Sequence, residues 1–123
     1  MDKAKTILVV DDSEAIRQAV SIMLLKKGFH VLLAKDGQDS LQYFTGQEIH
    51  LILSDLHMPN MDGIGLIKEV RKNKDYKRTP ILVLTTESQL SIKREAKNAG
   101  ATGWILKPFE TEKLVGTIHK VLR

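Results

Sequence analysis

The chain has 123 residues, 42% of them hydrophobic and 28% charged, which fits one compact domain over 1–123 and excludes disordered, fibrous and collagen-like classes. With no cysteine there is no disulfide framework, no thiolate nucleophile and no cysteine zinc site. The formal net charge of +4 admits an acidic partner but does not by itself name one.

In chain order, apolar runs alternate with amphipathic stretches. Thr6 to Val10 is β-branched, apolar and stops at Asp11-Asp12, as a buried strand does. After Ser13, a candidate N-cap, Ile16, Ala19, Val20, Met23 and Leu24 recur at helical spacing, and Lys26-Lys27-Gly28 closes the helix. Val31 to Ala34 reads as a short second strand, Asp36-Gly37 as a turn, and Ser40 to Phe44 as part of a second helix. Leu51 to Leu53 is a third strand ending at Ser54-Asp55. The loop Met58-Pro-Asn-Met-Asp-Gly63 leads into a third helix from about Ile64 to Asn73. Thr79-Pro80 precedes a fourth strand, Ile81 to Leu84, ending at Thr85. Ile92, Ala96 and Ala99 mark a fourth helix closed by Gly100. Gly103 to Leu106 is a fifth strand ending at Lys107-Pro108, and Leu114, Val115, Ile118, Val121 and Leu122 line a last helix.

Five strand-helix units joined by short connections require a parallel sheet with helices on both faces, because crossovers are right-handed. The small solution is the flavodoxin-like (βα)5 fold of order 2-1-3-4-5. Its ligand site lies beyond the carboxyl ends of the strands, where the order reverses between the first and third.

The longest apolar run is far shorter than the roughly 18 residues of a membrane span. The charged N-terminus, Met1 to Lys5, leaves too little for a secretory signal, so a cytoplasmic address and no membrane partner are expected. The bases Lys68, Arg71, Lys72, Lys74, Lys77 and Arg78 crowd where a helix ends; cations there complement the helix dipole, and a solvated helix end accounts for them. Aromatic residues at 5% supply no stacking rings beside them, so no nucleic-acid partner is expected.

The strand ends carry the chemistry. Asp11 and Asp12 follow the first strand, Asp55 the third, Thr85 the fourth and Lys107 the fifth; only the second, at the sheet edge, ends blandly. Three carboxylates within about 5 Å would repel by roughly 3 kcal/mol per pair at an effective dielectric near 20, so the cluster must hold a proton or a cation. An all-oxygen site with room for water suits Mg²⁺ and a phosphate. Lys107 and the Thr85 hydroxyl can donate to phosphoryl oxygens. A carboxylate in such a site can itself be the nucleophile, and Asp55, at the end of a central strand, is the best placed.

Taken together, Ile7 to Ser13, Ser54 to Gly63, Leu84 to Glu87 and Ala99 to Phe109 resemble a response-regulator receiver domain along the whole chain. With no output domain expected after Arg123, the likeness is greatest to the stand-alone, CheY-like chemotaxis branch. The resemblance implies that Asp55 accepts a phosphoryl group from a histidine kinase, CheA-like in a chemotaxis pathway. It implies Asp12 and Asp55 as direct Mg²⁺ ligands, Asp11 acting mainly through water, and the backbone carbonyl of His57 as a further ligand. It also implies that Lys107 pairs with the phosphoryl group, that Thr85 moves toward it, and that Trp104 turns inward as a switch. A cis peptide at Lys107-Pro108 belongs to the same pattern. His57 stands where many chemotaxis members have Asn, and Trp104 where they often have Tyr; side chains at the positions of His57 and Glu87 face the attacking water in the family. The implied partners are the kinase and a protein target such as the flagellar motor switch, met by the fourth helix, fifth strand and fifth helix of a monomer.

Two rivals accompany this reading: a phosphate sink without an output target, and an aspartate-nucleophile phosphatase or phosphotransferase, which would need a substrate-covering cap. Asp62-Gly63 reads as a turn, since the spacing of a calcium loop is missing. Gly63-Ile-Gly65 is only a fragment of a dinucleotide fingerprint. His30, His50 and His119 are scattered, and Met58 and Met61 read as loop packing.

Overall fold

A computed structural model describes residues 4–122. Five strands and five helices alternate: β1 (Thr6–Val10), α1 (Glu14–Lys26), β2 (His30–Ala34), α2 (Gly37–Ser40), β3 (Leu51–Ser54), α3 (Gly63–Lys72), β4 (Ile81–Thr85), α4 (Leu90–Ala99), β5 (Gly103–Leu106) and α5 (Thr111–Val121). The strands form one parallel sheet of order β2-β1-β3-β4-β5, the flavodoxin-like arrangement expected from the strand-helix alternation.

Alternation along the strands divides the core. Leu8, Val10, Ile52, Ile81 and Val83 face Leu66, Ile67 and Val70 of α3 and Ala96 of α4. Their neighbours Ile7, Val9, Leu51, Leu53, Leu82 and Leu84 face Val20 and Leu24 of α1 and Leu114 and Ile118 of α5. With successive side chains pointing to opposite faces, a strand covered on both sides must be apolar throughout. That is why β1, β3 and β4 read as unbroken apolar runs.

The helix starts obey local chemistry. The Ser13 hydroxyl accepts from the Ile16 amide (3.3 Å) at the head of α1, and the Asp62 carboxylate accepts from the Gly65 amide (2.8 Å) at the head of α3. Asp62 is thus a cap, in line with the turn expected there.

Two expectations are corrected. The second helix, of which Ser40 to Phe44 was expected to be part, does not reach Phe44. It begins at Gly37, lasts one turn and tightens into a 3-10 turn over Leu41–Tyr43. Phe44 leaves the helix to pack edge-on against Tyr76 at 4.9 Å, and the Tyr76 hydroxyl donates to the Gln47 carbonyl while accepting from the Gly46 amide. Tertiary contact overrides a marginal helix. Arg71 is also not part of a solvated helix end. It is half-buried, and its guanidinium donates to the carbonyls of Gly100, Lys77 and Thr79, tying the end of α3 to the start of β4 and the end of α4. Burial holds its pKa below the usual arginine value.

Candidate phosphoacceptor and cation site

The sheet register builds the site. Val10 pairs with Ser54 across β1 and β3, so the next residues, Asp11 and Asp55, leave the sheet side by side. Backbone bonds fix both: the Asp11 amide donates to Ala34 (3.1 Å) and the Asp55 amide to Val10 (2.9 Å). Carboxylate oxygens of Asp11, Asp12 and Asp55 come within 4.8 Å of one another, the separation at which they were expected to hold a proton or a cation. Asp11 is buried, Asp55 half-buried and Asp12 exposed, which leaves one open side.

Lys107 enters from the end of β5. Its Nζ donates to Asp11 Oδ2 (2.6 Å) and Asp55 Oδ2 (3.0 Å). The adjoining Lys107-Pro108 peptide is cis, as the resemblance implies. Burial works to lower the Lys107 pKa, but the hydrogen bonds and charges of Asp11 and Asp55 outweigh it and hold the pKa above the ordinary lysine value. One ammonium against three carboxylates leaves the pocket electronegative, a deficit that one divalent cation cancels.

The other carboxylate oxygens of Asp11 and Asp55 accept from backbone amides. Asp11 Oδ1 accepts from the Ser13 amide (2.9 Å), and the Asp11 carbonyl accepts from Arg17 (2.6 Å). Asp55 Oδ1 accepts from the Leu56 amide (2.6 Å). Below Asp55 the chain returns at Gly63, where a Cβ would lie 2.3 Å from the Asp55 carbonyl and 2.8 Å from Leu56 Cα. Any side chain at 63 would displace the Asp55 backbone. Thr85 ends β4 fully buried; its hydroxyl accepts from the Glu87 amide (3.2 Å), and its carbonyl accepts from the Lys107 amide (2.8 Å).

The rim carries His57 and Glu87, whose side chains meet at 2.9 Å. His57, with the Gln89 amide, holds the Glu87 carboxyl below its usual value. Trp104 sits half-buried on β5, paired with Val83 of β4, with Lys93 Nζ 5.9 Å from its ring centre. Asp11, Asp12, Asp55 and Lys107 are therefore brought together, Thr85 and His57 stand at the margins, and Trp104 lies on a helix-flanked face apart from the acids. His50 proves structural: its Nδ1 accepts from the Thr6 amide (2.9 Å).

Such a pocket defines a class: a doubly wound parallel α/β protein with a carboxylate cluster and a lysine at the switch point of the sheet. The family match then specifies it. Residues 7–119 match the response regulator receiver domain, and the chain belongs to that family. Receiver domains are signalling proteins, not classical enzymes.

The chain is 38% identical over 123 residues to a "Probable transcriptional regulator ycf27" of Porphyridium aerugineum, covering all of this chain and 50% of that protein. It is 35% identical to a "Probable chemotaxis protein CheY" of Rhizobium etli, over 94% of this chain and 90% of that one. It thus spans about half the length of several curated relatives and nearly all of another. Among solved structures, chemotaxis protein CheY4 of Vibrio cholerae superposes with a TM-score of 0.92 at 44% identity, covering 97% and 99% of the two chains. The receiver domain of sensor histidine kinase PA1611 from Pseudomonas aeruginosa PAO1, with a magnesium ion coordinated in its active-site cleft, superposes at 0.89 with 26% identity over 97% and 98%. The acids at 11, 12 and 55 fit the same ion by donor chemistry, being oxygen donors around an open side.

Proposed function

We propose that this chain is a phosphorylation-operated signalling protein of a two-component pathway, of the chemotaxis type, in which Asp55 is the phosphoacceptor. The observation that carries the reading is the convergence of three carboxylates within 4.8 Å under a lysine that bonds two of them. Asp12, Asp55 and the His57 carbonyl would hold Mg²⁺ directly and Asp11 through water. The bound ion would offset the charge of the acids and of the incoming phosphoryl group.

Asp55 attacks phosphorus through a carboxylate oxygen. The O–P bond of an acyl phosphate forms as the P–N bond of the kinase phosphohistidine breaks, and the histidine nitrogen keeps the electron pair. Lys107 then exchanges a carboxylate partner for a phosphoryl oxygen. The Thr85 hydroxyl, bonded only to the Glu87 amide in this state, turns to donate to another. That releases the Glu87 backbone, and with it the loop leading to α4, while Trp104 moves inward. The face of α4, β5 and α5 then changes its affinity for a protein target such as the flagellar motor switch.

Shifting such an equilibrium from 1:99 to 99:1 takes about 5.5 kcal/mol. One contact at Lys107 falls short of that, so Thr85 and the rearranged acids share the task.

The test is Mg²⁺-dependent labelling by a small phosphodonor. Wild type is expected to be labelled once and Asp55→Asn not at all, by intact-mass measurement. Persistent labelling of the variant at another residue refutes the assignment.

A further inference from the structure

A second carboxylate, outside the phosphoacceptor pocket, is buried without a part in the function above. Asp36 follows β2 and is 2% exposed. Its Oδ1 accepts from the Asp39 amide (2.7 Å), capping α2. Its Oδ2 accepts from the Asn60 side-chain amide (2.8 Å), 24 residues away in the loop between β3 and α3.

The cap needs only the first of these bonds, and asparagine caps as well as aspartate. What requires an acceptor at Oδ2 is the amide of Asn60. That residue is held at φ 67°, the one non-glycine residue with positive φ among the described residues. Beside it the Gly37 amide donates to the Met61 carbonyl (3.0 Å), and a Cβ on Gly37 would lie 2.7 Å from that oxygen. The contact between the two loops is therefore close, backbone to backbone.

The loop after Asp55 is thus anchored twice. Its root is closed by the Gly63 amide on the Leu56 carbonyl (2.9 Å), and its far end by Asp36 and Gly37. His57, whose backbone is a ligand in the function proposed above, lies between the two anchors.

We infer that Asp36 and Asn60 are a positioning pair. They fix the loop from 56 to 62 before a cation arrives, and so set the divalent-ion affinity of the site without touching the ion. A loop ordered only on binding would lose that ordering entropy from the affinity, whereas one fixed beforehand does not. Partners that orient ligands typically change metal affinity by about tenfold or more when removed. The inference rests on the cation-site reading above.

The experiment is calorimetric titration of the full chain with Mg²⁺ alone. Asn60→Gly keeps the charge, tolerates φ 67° and removes the side-chain bond while freeing the backbone; its Mg²⁺ affinity is expected to fall about tenfold. Asp36→Asn keeps a bond, because the Asn60 side chain can turn its oxygen toward the new amide; as the control for the lost charge it is expected to bind within about threefold of wild type. The exchange variant D36N/N60D restores an acceptor-donor pair at unchanged net charge and is expected to recover to within about threefold of wild type.

Affinities of Asn60→Gly within twofold of wild type overturn the inference and leave the cation site standing, as does failure of the exchange to recover. Wild type that takes up no more Mg²⁺ than Asp55→Asn overturns both readings. Hydrogen exchange on the unmodified protein gives a readout free of variants. The Gly37 amide is expected to exchange slowly before Mg²⁺ is added and at the same rate afterwards; protection that appears only with the ion refutes a preformed loop.

Discussion

Asp11 and Asp36 follow neighbouring strands, are equally buried at 2% exposure and each accept one bond from a backbone amide two or three residues on. They differ in the other oxygen. Asp11 faces the Lys107 ammonium, a point charge on a flexible stem that a cation or phosphoryl group can displace. Asp36 faces the neutral amide of Asn60 on a strained turn, which has nowhere else to go. A carboxylate kept available for chemistry is balanced by a mobile charge, whereas one that holds architecture is satisfied by fixed dipoles. Among the described residues no buried side-chain oxygen or nitrogen lacks a partner, so the contrast concerns the kind of partner.

The sharpest way to break this comparison is to remove the mobile charge. Lys107→Ala leaves Asp11 and Asp55 facing each other without their ammonium. It is expected to destabilise the cation-free protein by about 3 kcal/mol, with the loss largely reversed by millimolar Mg²⁺. Urea unfolding with and without the ion measures both. If Lys107→Ala is as stable as wild type without Mg²⁺, the lysine does not balance the pocket. The same variant is expected to accept phosphate yet respond to it weakly in target binding.

Removing the fixed carboxylate has a smaller effect of a different kind. Asp36→Ala loses the α2 cap and the tie to Asn60, for about 1–2 kcal/mol, and Mg²⁺ is expected to restore none of it. The Asp39 amide first and the Asn60 side chain second hold the Asp36 carboxyl below its ordinary value of 3.8. A depressed acid stabilises the fold above its unfolded value and ceases to do so as pH falls through its folded one. Wild type is therefore expected to lose this contribution on acidification below about 4, and Asp36→Ala to show a shallower acid limb between there and pH 2. Parallel acid limbs for the two proteins would contradict the assignment.

A charge that touches neither carboxylate sets the floor. Lys93 lies 5.9 Å from the Trp104 ring centre, and Lys93→Ala is expected to cost about 0.5–1 kcal/mol with no change in Mg²⁺ affinity. Since Trp104 is the single tryptophan, its fluorescence reports the change in its surroundings directly.

The comparison also shows how much of the molecule is legible in one dimension. Asp11, Asp12, Asp55 and Lys107 stand where an apolar run stops, and each run by itself marks a strand end. Once five such runs alternate with helices, right-handed crossovers leave little choice but to bring those ends to one edge. The acids of the pocket were therefore visible before any coordinates. Asp36 was not: Asp36-Gly37 looks like any turn, and its second hydrogen bond comes from an amide 24 residues away.

What the sequence determined by itself is what short-range physics controls. Side-chain period, apolar runs, helix caps and the polar residues that punctuate strand ends set the element order, the sheet and the acidic cluster. Only the tertiary structure decided how the loops are tied. Asp36 meets Asn60, His57 meets Glu87 across 30 residues, and Arg71 reaches Gly100 across 29. The reason is that no periodicity governs an irregular segment: where two loops meet depends on the packed sheet and helices that bring them within hydrogen-bonding distance, and a single polar side chain carries no mark of its partner.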